Sequence, residues 1–118
     1  MKRVLIVDDN CDAADTVSML LELAGHQTEV FFQAEDGLRN WKAFEADVVI
    51  LDIGLPDLSG YEVVSRLRQE GFKGVAIALS GYGQPEDKRR ALDCGFDFHF
   101  VKPMEGDALE NVLAKLRS

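Results

Sequence analysis

The stretch Val48-Val49-Ile50-Leu51-Asp52-Ile53-Gly54-Leu55-Pro56-Asp57-Leu58-Ser59-Gly60 decides the fold. An uninterrupted aliphatic run ends in a carboxylate, and glycine and proline then turn the chain before a helical pattern begins. Continuous apolar runs of this length suit strands covered on both faces, as in a parallel sheet. The N-terminus repeats the layout, with Val4-Leu5-Ile6-Val7 closed by Asp8 and Asp9. If both runs are parallel strands of one sheet, three carboxylates gather at the edge where parallel α/β folds place their ligands. Such crowding of like charge is costly unless a cation sits among them.

Working outward, the expected strands are Arg3 to Val7, Thr28 to Phe32, Val48 to Leu51, Val75 to Leu79 and Phe98 to Val101. Helical periodicity fills the gaps. Val17, Leu20, Leu21 and Ala24 follow i, i+3, i+4, i+7 spacing, and Leu109, Val112, Leu113 and Leu116 repeat it near the end. Weaker helical segments run over Ala34 to Phe44, Tyr61 to Glu70 and Glu86 to Asp93. Their inward candidates are Leu38 and Trp41, Val64 and Leu67, and Ala91 and Leu92. Gly25, Gly71 and Gly95 stand where helices should stop. Alternation of five strands with five helices predicts a doubly wound parallel α/β sheet with right-handed crossovers.

The chain has 118 residues, 47% hydrophobic and 29% charged, which is the size of one domain spanning residues 1–118. Its net charge of −8 argues against phosphate-backbone binding, which needs clustered Lys and Arg, so no direct nucleic-acid contact is expected. No apolar run approaches the roughly 20 residues needed to cross a bilayer. Acids interrupt the opening apolar run too early for a signal peptide, and a cytoplasmic location is expected. Cys11 and Cys94 lack ligand-spaced partners and read as free thiols.

Five residues should converge at the carboxylate edge: Asp8 and Asp9 after the first strand, Asp52 after the third, Ser80 after the fourth and Lys102 after the fifth. Carboxylate oxygens are hard ligands, and few acids plus water suit Mg²⁺ better than a calcium cage. Zinc is disfavoured because no His or Cys accompanies them. With a divalent ion in place, one carboxylate stays available to attack phosphorus, and Lys102 and Ser80 can meet phosphoryl oxygens. Asp52 is the best nucleophile.

In order along the chain, Val4-Leu5-Ile6-Val7-Asp8-Asp9-Asn10, Val49-Ile50-Leu51-Asp52, Leu55-Pro56-Asp57-Leu58-Ser59-Gly60, Leu79-Ser80-Gly81 and Val101-Lys102-Pro103 resemble the receiver domains of two-component signalling. The resemblance covers nearly the whole chain. It implies a flavodoxin-like sheet of order 2-1-3-4-5. It also implies that Asp52 accepts phosphate from a phosphohistidine on a histidine kinase or histidine phosphotransfer protein. Mg²⁺ would be held by Asp9, Asp52 and the backbone carbonyl of Gly54, with Asp8 acting largely through metal-bound water. Lys102 would contact the carboxylate or phosphate, and Ser80 a phosphoryl oxygen. Family members switch when this hydroxyl moves to the phosphate and an aromatic three residues before the lysine turns inward, which a downstream protein partner reads. That position is His99 here, the main departure from the pattern. Gly54 and Tyr82 flank the path of an attacking water and are expected to influence phosphate lifetime. Leu79 to Gln84 with Gly95 to His99 look most like receivers of hybrid histidine kinases.

Other readings compete. Asp8 and Asp9 alone could be helix-capping acids. Ser80 could be a turn former, Lys102 a solvated strand-end lysine, and His99 a half-buried structural histidine. Lys88-Arg89-Arg90 reads as a solvated helix face, or as a dock for an acidic partner. A flavin site is disfavoured because Asp8-Asp9-Asn10 would repel an anionic cofactor. The alternative functions are a small Mg²⁺-dependent phosphohydrolase, against which stands Gly54 two residues after Asp52, and a receiver-like binding module that is never phosphorylated.

Overall fold

Side chains that alternate between two buried faces settle how the layers stack. The computed structural model describes residues 2–55, 57–80 and 88–101. They form β1 (Arg3–Val7), α1 (Cys11–Leu23), β2 (Gln27–Phe31), α2 (Ala34–Phe44), β3 (Val48–Asp52), α3 (Gly60–Gln69), β4 (Val75–Ser80), α4 (Lys88–Cys94) and β5 (Phe98–Val101). The strands make one parallel sheet ordered β2-β1-β3-β4-β5, the doubly wound arrangement expected from the sequence. The fifth expected helix, built on Leu109, Val112, Leu113 and Leu116, lies outside the described residues.

On one face, Val4, Ile6, Val48, Ile50, Ile77 and Leu79 pack with Ala14, Val17 and Leu21 of α1. On the other, Leu5, Val7, Val49, Leu51, Ala76 and Ala78 pack with α2 through Ala34, Trp41 and Phe44, with α3 through Val64 and Leu67, and with α4 through Ala91. Each fully buried aliphatic side chain contributes about 1.5–3 kcal/mol, so β1, β3 and β4 fix the molecule's axis. A one-residue slip would exchange the two faces, which pins the register.

Three expected core residues face outward, one of them Ala24, which caps the end of α1 and is exposed there. Leu20 is 39% exposed, because α1 meets the sheet along Ala14, Val17 and Leu21, a narrower stripe than the apolar pattern. Leu92 is 60% exposed, turned by about 100° of helix from the buried Ala91. Gly25, Gly71 and Gly95 do follow helix ends, with φ of +94°, +103° and +121° that glycine adopts without strain. The end of α2 has no such signal, and Glu45 takes the left-handed conformation there at φ 58°. Both cysteines are free, and among the described residues no helix is long and apolar enough to cross a membrane.

The edge of the sheet where the strands begin is tied by Arg68. Its guanidinium donates to the carbonyls of Gly95 (2.8 and 3.1 Å), Phe72 (3.1 Å) and Gly74 (2.8 Å) and to Asp97 Oδ2 (3.0 Å). Asp97 Oδ2 also accepts the Ala76 N–H at 2.9 Å, so one side chain joins α3, the start of β4 and the turn into β5. Replacing Arg68 by Met keeps the stem and strands these acceptors. Loss of about 2–3 kcal/mol is expected from several part-buried bonds to one charged donor, read as a lower urea midpoint at unchanged slope.

Candidate functional site

Each acid is delivered by the strand before it. β1 stops at Val7, and the Asp8 N–H donates to Phe31 O at 3.0 Å, which seats Asp8 against the end of β2. Asn10 caps α1, accepting the Ala13 N–H on its side chain at 3.1 Å, while Asp8 Oδ1 accepts the Asn10 N–H at 3.0 Å. The capping role open to Asp8 and Asp9 therefore falls to Asn10. β3 runs one residue further than expected, to Asp52, and β4 one further, to Ser80. Both side chains are thus placed by ladder geometry rather than by a loop.

Asp8 is 1% exposed and Asp52 4% exposed, whereas Asp9 is exposed. Ligand oxygens of the three lie within 4.8 Å of one another. An all-oxygen set with two buried members fits a hard divalent cation, and no His or Cys joins the group to favour a softer metal. Asp52 Oδ1 accepts the Gly54 N–H at 2.9 Å, which holds the carboxylate at the mouth of the β3–α3 loop. A cation at this point would neutralise the crowding, and a carboxylate oxygen beside it could act as nucleophile.

Ser80 lies on β4 one residue beyond Leu79, the partner of Asp52, so it reaches the same edge from the neighbouring strand. Its hydroxyl is fully buried and has no hydrogen-bond partner among the described residues. His99, opposite Ala78 on β5, buries both ring nitrogens without a partner. Among the described residues these three atoms are the buried side-chain polar atoms left without partners, and each is costly by about 1–3 kcal/mol. Alternation puts Ser80 and His99 on the α4 side of the sheet, two steps apart along adjacent strands. Lys102 and Tyr82 lie outside the described residues. The basic run at the start of α4 is not wholly a solvated face, since the Arg90 guanidinium sits 4.3 Å over the Tyr61 ring.

One residue near the site escaped the sequence reading. Asp57, in the β3–α3 loop, caps α2: its Oδ1 accepts the Ala34 N–H at 3.0 Å and its Oδ2 the Glu35 N–H at 3.1 Å. The available signal was Gln33, a poor cap residue that makes no side-chain bond to the helix it precedes.

Residues 4–114 match the model of the response regulator receiver domain. The chain is similar to the cell cycle response regulator CtrA of Brucella ovis, 35% identical over 107 residues that cover 91% of this chain and 46% of that protein. It thus spans about half the length of the curated relatives it matches. Among solved structures it resembles the chemotaxis response regulator CheY4 of Vibrio cholerae, with a TM-score of 0.88, 27% identity and 98% of each chain covered. A CheY-like receiver domain from Methylobacillus flagellatus superposes with a TM-score of 0.87 at 32% identity, again over 98% of each chain.

Gly60 presses α3 against the backbone of Asp52 itself: a Cβ there would lie 2.7 Å from Asp52 O and 2.8 Å from Ile53 Cα. Both neighbours are main chain and cannot swing aside. Gly60→Ala is expected to lower stability by about 1–3 kcal/mol through overpacking and to weaken Mg²⁺ binding, checked by thermal melts with and without Mg²⁺.

Proposed function

This chain belongs to the response regulator receiver family, and on that premise we propose that it is a Mg²⁺-dependent phosphoacceptor whose Asp52 takes a phosphoryl group from phosphohistidine. The observation that carries the reading is the convergence of Asp8, Asp9 and Asp52 within 4.8 Å, with Ser80 arriving on the next strand. An Asp52 oxygen attacks phosphorus, the P–N bond of the donor breaks, and its electron pair returns to the donor imidazole. Asp8, Asp9, Asp52 and the Gly54 carbonyl would hold the cation, which neutralises charge on the transferring oxygens. Phosphoryl transfer asks mainly for positioning and charge neutralisation, and strand-end carboxylates supply both.

Ser80 and Lys102 would meet the phosphoryl oxygens of the product. The Ser80 hydroxyl, which has no partner among the described residues, would gain an acceptor when phosphate arrives, so phosphorylation would relieve a cost present in the resting state. His99 would then respond on the same sheet face, shifting a two-state population that a downstream protein reads. The phosphate donor is a histidine kinase or histidine phosphotransfer protein, and Gly54 and Tyr82 tune the lifetime of the aspartyl phosphate.

Intact mass after incubation with acetyl phosphate and Mg²⁺ tests the reading. One phosphoryl adduct is expected, absent from Asp52→Asn and from a metal-free sample, and Tyr82→Ala is expected to change its decay rate. Release of inorganic phosphate over many turnovers would establish a hydrolase instead. Absence of adduct with both acetyl phosphate and a phosphohistidine donor would overturn phosphorylation in favour of a binding module.

A further inference from the structure

The cation site is assembled from two separate pieces of chain, and both are fastened to the junction between β2 and α2. The first piece, Asp8 and Asp9, hangs on the Asp8 N–H donating to Phe31 O at 3.0 Å. Phe31 ends β2, and only Phe32 and Gln33 separate it from Ala34, the first residue of α2. The second piece is the loop after β3. It is closed at its base by the Gly60 N–H donating to Ile53 O at 2.9 Å and by Gly54 N–H on Asp52 Oδ1. Its far side reaches α2 through the two carboxylate bonds of Asp57 to Ala34 and Glu35.

These bonds form a closed circuit around the acids: Asp52 loop, Asp57, start of α2, end of β2, Asp8. Three like charges within 4.8 Å push the two pieces apart, and the push is strongest before a cation binds. Burial of Leu55 anchors one side of the loop, and the Asp57 bonds hold the other. We propose that Asp57 is a positioning residue for the cation site, a brace that keeps the Asp52 loop at ligating distance from Asp8 and Asp9 without touching the ion. The proposal rests on the reading that these acids bind Mg²⁺.

The brace holds throughout the neutral range. Burial, which raises the Asp57 carboxyl, is outweighed by the N–H groups of Ala34 and Glu35, and the group titrates below its ordinary 3.8. A depressed carboxyl stabilises the fold above the unfolded value and loses that contribution only as pH falls through the lowered folded one.

Calorimetric Mg²⁺ titration of the wild type, Asp57→Ala, Asp57→Asn and Arg68→Met, well below every melting temperature, tests the brace. Asp57→Ala is expected to weaken Mg²⁺ binding about tenfold, at the low end for partners that orient metal ligands. Asp57→Asn, which keeps one accepting oxygen, should fall between it and the wild type. Arg68→Met, destabilised at the opposite edge, should bind Mg²⁺ normally. In acetyl phosphate labelling, Asp57→Ala should raise the Mg²⁺ concentration for half-maximal rate while keeping the rate at saturating Mg²⁺. Wild-type affinity in Asp57→Ala, with only a lower melting temperature, would overturn the brace and leave a plain helix cap. Wild-type protein that binds no Mg²⁺, or binds it equally well as Asp52→Asn, would overturn the reading of the site and the brace with it.

Discussion

Two carboxylates out of water and a third beside them, all with oxygens inside 4.8 Å, are the constraint around which the rest of the structure is organised. Such a cluster opposes folding through desolvation and repulsion, and it persists only if the surrounding chain over-determines it. The over-determination is visible in three places. β1 and β3 are hydrogen-bonded neighbours, so Asp8 and Asp52 leave the sheet side by side. Backbone amides of Asn10 and Gly54 donate to those carboxylates and spread their charge. The start of α3 presses so closely on Asp52 that only glycine fits at position 60.

The two edges of the sheet divide the labour. Where the strands begin, Arg68 spends its donors on three carbonyls and Asp97, and its guanidinium also lies 5.1 Å over the Phe72 ring. That edge holds elements together. Where the strands end lie the Asp8, Asp9 and Asp52 carboxylates and Ser80, whose hydroxyl has no hydrogen-bond partner among the described residues. A parallel sheet enforces the division, because every strand points its C-terminus to the same side and the loops there are free to vary. The destabilised end is affordable because both faces of β1, β3 and β4 are buried.

His99 stands where the resemblance to receiver domains implies an aromatic residue. A phenyl ring in that position carries no polar atoms to satisfy, whereas an imidazole carries two, and here both are buried without partners among the described residues. The resting arrangement therefore bears a cost that an aromatic hydrocarbon would not impose. Among the described residues Ser80 bears a similar cost on the adjacent strand.

The parallel sheet and its acidic edge were legible in the sequence because they depend on continuous aliphatic runs and the carboxylates that end them, which are local properties, whereas the strand order followed only from the resemblance to receiver domains. Arg3 to Val7 and Phe98 to Val101 have the boundaries their apolar runs predict, and Ala34 to Phe44 those its helical spacing predicts. Tertiary structure alone decided what depends on which neighbour arrives. The outward turn of Leu20 and Leu92 follows from how narrow a stripe each helix presents to the sheet. The assignment of the cap to Asn10 rather than to Asp8 or Asp9 follows from where α1 starts. The bond from Asp57 to α2 spans 23 residues and satisfies amides that no local side chain reaches, so no periodicity could announce it. Sequence by itself determined which groups stand at the edge, because strand ends are written in hydropathy; the fold decided how they are held, because orphan amides and crowded charges are satisfied by whatever the packing brings beside them.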